Sequence, residues 1–110
     1  MNMNEYQQAA AGFINQELHK EQVFCHALHG IAAEAGEIHS LFQKEYQGHP
    51  FSFVHLKKEF GDLLWMIAEA CTAMGWTLED VARGNIDKLT ARYPNGFEAE
   101  KSLHRKEGDV

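Results

Sequence analysis

Glu34-Ala35-Gly36-Glu37-Ile38 and Glu59-Phe60-Gly61-Asp62-Leu63 share one form: an acid, a variable residue, a glycine, a second acid and an aliphatic. On a helix, i,i+3 spacing sends both carboxylates of a pair to the same side. Four carboxylates gathered without a counter-ion repel one another and take up protons, because burial and like charge both raise carboxylate pKa values. A hard divalent cation resolves that conflict, and Mg²⁺ typically combines a few carboxylates with waters and substrate phosphates. Such a pattern predicts a metal site able to receive a phosphate. The plainer alternative is a set of solvated charges, or partners for Lys57 and Lys58. The glycine inside each pair costs about 1 kcal/mol of helix propensity relative to alanine, which suggests close approach of another backbone or of a ligand.

Both pairs must be carried by helices. Placing residues at about 100° intervals, with Phe24 as zero, puts Phe24, Leu28, Ile31, Ala35, Ile38 and Phe42 in one stripe, extended to about 260° by Ala27, Leu41 and Val23. Glu34 falls at about 280°, inside that apolar arc, and Glu37 near 220°, at its margin. With Phe60 as zero on the next helix, Glu59 lies at about 260° between Met66 and Ala70, and Asp62 near 200°. Two helices thus carry an acid pair on the same flank of their apolar stripe.

Strand-type alternation is missing and both prolines fall between periodic segments, so the fold class expected is all-α, a four-helix bundle-like domain. A first helix should open at Asn4, capped through Gln7, with Tyr6, Ala10, Phe13, Ile14 and Leu18 on its apolar face. The second spans about residues 22–45 and carries Glu34 and Glu37. Ser52 caps a third, with Phe53, Leu56, Phe60, Leu63, Leu64, Ile67, Cys71 and Met74, and Gly75 stops it. Thr77 caps a fourth that ends before Pro94. Residues 1–97 form the expected domain, and the charged residues 98–110 a mobile tail.

Composition narrows the classes. One domain is all that 110 residues can build, and 45% apolar residues exclude disorder for most of it. A net charge of −6 argues against a partner held by its phosphates, so no nucleic-acid polymer is expected, although a metal ion would admit a phosphate-bearing small molecule. No apolar run reaches the length of a membrane span, and no basic-plus-apolar leader opens the chain, so the expected location is the cytoplasm. Cys25 and Cys71 lack a ligand or disulfide pattern and read as buried apolar groups.

At the acid pairs the sequence resembles the MazG-like all-α nucleoside triphosphate pyrophosphohydrolases, whose signature is E-E-x-x-E, a spacer, then E-x-x-D. The matching residues are Ala33-Glu34-Ala35-Gly36-Glu37, 21 intervening residues, and Glu59-Phe60-Gly61-Asp62. The likeness continues through Leu63-Leu64-Trp65, Thr77-Leu78-Glu79-Asp80-Val81-Ala82, Asn85-Ile86-Asp87-Lys88-Leu89 and Arg92-Tyr93-Pro94-Asn95-Gly96-Phe97. Ala33 stands where the signature has its first Glu. That position points about 100° from Glu34, so four acids survive. The resemblance implies Mg²⁺-dependent cleavage of a (deoxy)nucleoside triphosphate between its α and β phosphates, with Mn²⁺ able to substitute. It implies Glu34, Glu37, Glu59 and Asp62 as metal ligands, with Glu37 or Glu59 also acting on the water. It further implies Asn85, Lys88, Arg92 and Tyr93 as contacts to phosphate or nucleoside, and a role in cleaning the nucleotide pool.

Asn85 could instead bind a backbone group inside the core, Lys88 be an exposed cation near the helix C-terminus, and Tyr93 pack in the core. His55, one turn before Glu59, also has a plain surface or packing alternative. Trp65 lies near 140° on the third helix, away from its stripe, so that helix is apolar on nearly all sides and should be surrounded. This predicts a homo-oligomer, and the resemblance favours a dimer or a tetramer of dimers. Two other readings compete. A di-iron carboxylate bundle needs Glu-x-x-His on two helices, which neither pair supplies. A non-catalytic helical regulator or adaptor that binds metal or nucleotide is kept open by Ala33.

Overall fold

A computed structural model describes residues 1–110. It is all-helical, with 71% of residues in helices and no strands. The helices are α1 (Met3–Ala11), α2 (Lys20–Tyr46), α3 (Phe53–Met74), α4 (Leu78–Arg92) and α5 (Ala99–Leu103). None is long and apolar enough to cross a membrane.

Local chemistry sets most of these bounds. Ser52 Oγ accepts the His55 amide at 3.2 Å to open α3, and Gly75 closes it in the left-handed conformation at φ 74°, where a side chain would be strained. The first helix differs from expectation. Asn2 rather than Asn4 is its cap: Asn2 Oδ1 accepts the Glu5 amide at 2.9 Å, and Glu5 reaches back to the Asn2 amide. It ends at Ala11, so Leu18 lies beyond it.

Gln7 is released from capping for a tertiary task. Its Nε2 donates to Trp76 O at 2.9 Å and Thr72 Oγ1 at 3.2 Å, and its Oε1 accepts the Leu78 amide at 2.7 Å. A buried amide with all these partners satisfies the backbone of the turn after α3 and ties α1 to it.

Contacts divide the chain into two compact units, residues 1–78 and 79–110. In the first unit α3 packs on both α2 and α1. Ala10, Ala68, Cys71 and Leu78 form a buried cluster, with Tyr6, Trp65 and Ile67 against it. Trp65 is therefore partly covered within the chain. The α2–α3 seam buries Val23, Ala27, Met66 and Ala73, the flank of each helix rather than the middle of its stripe. At the middle, Leu28, Phe42, Phe60 and Leu64 remain more than a third exposed. Cys71 is buried as expected, whereas Cys25 is exposed.

In the second unit α5 follows α4, and Asp109 pairs with Arg92 of α4.

Candidate metal centre

One carboxylate oxygen each from Glu34, Glu59 and Asp62 lies within 4.8 Å of the others. The α2–α3 seam creates this proximity. Gly30, one turn before Glu34, faces Met66, one turn after Asp62; a Cβ at Gly30 would overlap Met66 Sδ and Cγ. It would fit only if the Met66 side chain moved aside, so the missing Cβ lets Met66 pack directly on the α2 backbone.

The expected close approach at Gly36 and Gly61 does not occur within the chain: a Cβ at either would meet open space. Their cost to the helix is repaid by no packing contact here, and Gly30 holds the role they were expected to play.

Electrostatics at the cluster follow from its geometry. The Glu34 carboxyl is pushed above its ordinary value, first by burial, then by the negative charges of Asp62 and Glu59, with a hydrogen bond to Glu59 and the charge of Glu37 adding to the effect. Glu37 therefore lies close enough to be felt, but outside the group of three. Glu59 is 13% exposed, and its Oε1 pairs with His55 Nε2 at 2.9 Å. Tyr6 of α1 is pushed up by burial and by Asp62, so a phenol borders the acidic group. No ion pair joins Lys57 or Lys58 to any of the four acids.

This donor set suits a hard divalent cation. Glu34, Glu59 and Asp62 would hold such a cation through carboxylate oxygens, the ligand type Mg²⁺ takes. A cation would offset the like-charge repulsion that adds to burial in raising Glu34.

The remaining expected contacts lie in the second unit. Asn85 and Lys88 are exposed on α4, which leaves the Asn85 amide free of the core role considered for it. Arg92 is held by Asp109 in a two-point ion pair, with Nε to Oδ2 at 2.8 Å and Nη2 to Oδ1 at 2.7 Å. Tyr93 stacks near Phe97 at 5.3 Å between ring centroids and lies under the Arg92 guanidinium at 5.7 Å.

Three features escaped the sequence reading. The Gly30–Met66 contact carries no local signal, since only the pairing of the two helices makes it meaningful. Glu69 is buried and bonds His26 Nδ1 at 2.8 Å across the same seam; its i+7 spacing from Asp62 could have revealed it. Asp109 reaches Arg92 from 17 residues away, beyond any periodicity.

The family model described as "MazG nucleotide pyrophosphohydrolase domain" matches residues 22–97, which include both acid pairs and α4. No curated protein and no solved structure matches the chain.

Proposed function

Because the chain belongs to the MazG nucleotide pyrophosphohydrolase domain family, we propose that it hydrolyses a (deoxy)nucleoside triphosphate at the α–β bond. The products are the nucleoside monophosphate and pyrophosphate, and the role is cleaning of the cytoplasmic nucleotide pool. The observation that carries this reading is the meeting of Glu34, Glu59 and Asp62 oxygens within 4.8 Å.

Glu34, Glu59 and Asp62, with Glu37 beside them, would hold Mg²⁺, or Mn²⁺ in its place. Bound there, the cation supplies charge neutralisation of the triphosphate, its orientation for in-line attack, and activation of a water. The chain's own residues prepare the site. Glu34, whose carboxyl is pushed above its ordinary value by burial and by the neighbouring acids Asp62 and Glu59, faces Glu59, and a bound cation would favour its ionised form. His55 engages one oxygen of Glu59 and leaves the other for a ligand or for the attacking water. Glu37, outside the tight group, is the other candidate to orient or deprotonate that water. Asn85, Lys88, Arg92 and Tyr93 are assigned to phosphate and nucleoside contacts.

A homo-oligomer, a dimer or a tetramer of dimers, completes this reading. Its support is the exposed apolar line of Leu28, Phe42, Phe60 and Leu64 along α2 and α3. Incubation with a panel of ribo- and deoxyribonucleoside triphosphates, with Mg²⁺ or with a chelator, tests the activity. Monophosphate plus pyrophosphate, formed only with the cation, is the expected outcome; orthophosphate as the sole phosphate product rejects it.

A further inference from the structure

The second unit contains a cavity of about 470 Å³ whose wall is unusually basic for a chain of net charge −6. Lys88 and Arg92 of α4, Lys101 of α5, and His104, Arg105 and Lys106 after it contribute to the lining. Against these stand two carboxylates, Glu107 and Asp109.

Asp109 does more than line the cavity. It takes both nitrogens of the Arg92 fork, at 2.8 and 2.7 Å, in a pair whose side chains are only 9% and 18% exposed. Two parallel N–H···O bonds to a planar guanidinium are also the arrangement in which arginine holds a phosphate. Its hydrogen bonds with Arg92 hold the Asp109 carboxyl below its ordinary value, and the charges of Arg92, Arg105 and Lys88 add to this, so several cations share this one carboxylate. A phosphate or pyrophosphate group carries more charge and more acceptor oxygens than a carboxylate, and it fits the same fork.

We propose that Asp109 is a resident stand-in for a phosphate group, and that residues 104–110 form a strap competing with a phosphate-bearing anion for Arg92. The anion belongs to the pyrophosphate class. Its consequence for turnover rests on the proposed function, in which Arg92 holds substrate phosphate: strap and substrate then exclude each other at that side chain, and the strap raises KM without changing kcat.

The test is calorimetric titration of the full chain with inorganic pyrophosphate in metal-free buffer, comparing wild type with Asp109→Asn. A variant lacking residues 107–110 serves if circular dichroism shows that the substitution disturbs the helices. Removing the competitor should tighten pyrophosphate binding by about tenfold or more. Pyrophosphate should also speed tryptic cleavage after Arg105 and Lys106 in the wild type. Equal affinities, no binding by either variant, or cleavage that pyrophosphate leaves unchanged or slows overturns the proposal. Tighter binding in a chain that hydrolyses no nucleoside triphosphate keeps the strap and rejects the proposed function. Normal hydrolysis with unchanged pyrophosphate binding does the reverse.

Discussion

Gly30 of α2 lies directly against Met66 of α3, with no room between them for a single methyl group. This contact sits one turn from Glu34 on one helix and one turn from Asp62 on the other, so the packing that closes the seam also brings the carboxylates together. Overpacking a buried seam costs about 1 to 3 kcal/mol, of which alanine's helix propensity returns about 1 kcal/mol, so Gly30→Ala should lower stability by up to about 2 kcal/mol and weaken divalent-cation binding. Gly36→Ala and Gly61→Ala, which meet open space, should be neutral or stabilising by up to about 1 kcal/mol. Thermal denaturation of the three variants separates the two cases; equal losses would show that Gly30 has no special place.

The burial and crowding of Glu34 have a thermodynamic signature. A carboxyl whose folded pKa lies above its unfolded value keeps its proton in the folded state through the window between the two. Folding therefore takes up a proton there, and stability falls as pH rises from about 4.5 through the raised Glu34 value. Metal-free wild type should lose thermal midpoint relative to Glu34→Gln across this window, and saturating Mg²⁺ should remove the loss. A wild type that gains on the variant as pH rises would contradict the crowding.

Gln7 satisfies three groups at once, among them the Leu78 amide. Gln7→Leu leaves the Leu78 N–H and the Trp76 carbonyl without their partner, at a cost of about 2 to 3 kcal/mol. Urea denaturation should show a lower midpoint with an unchanged slope. An unaltered midpoint would mean that the turn is held by something else.

Phe60, 53% exposed, and Leu64, 39% exposed, lie in the middle of the α3 apolar stripe. Light scattering at micromolar concentration should report a dimer or tetramer for the wild type and a monomer for Phe60→Glu. A monomeric wild type would remove the oligomer from the account.

Much of this was legible because its cause is local. Ser52 and Gly75 bound α3 as their side-chain chemistry dictates, and the i,i+3 acids face one way because helix geometry leaves no alternative. Asn2 and Asn4 show where locality fails. Each has a suitable partner three residues on, and the choice went to Asn2 because Gln7 is needed by the turn after α3. Periodicity located the apolar arcs but not which part of each would be buried. Small residues, Ala27 and Gly30, let the flank close, and the bulky middle stayed outside. Trp65 illustrates the same limit: its angle set it apart from the stripe, and α1 supplied part of its cover. The pairing of Arg92 with Asp109 depends on a chain return that no helical period encodes.

The central claim is that the acid group on α2 and α3 performs cation-dependent cleavage of a triphosphate. It is tested most directly by pyrophosphate release from a nucleoside triphosphate with Mg²⁺, measured side by side for wild type, Glu37→Ala and Glu59→Ala. The account predicts monophosphate and pyrophosphate in equal amounts from the wild type, and rates lower by about 100-fold or more for both variants. Unchanged rates in both variants, or orthophosphate alone from the wild type, would contradict it.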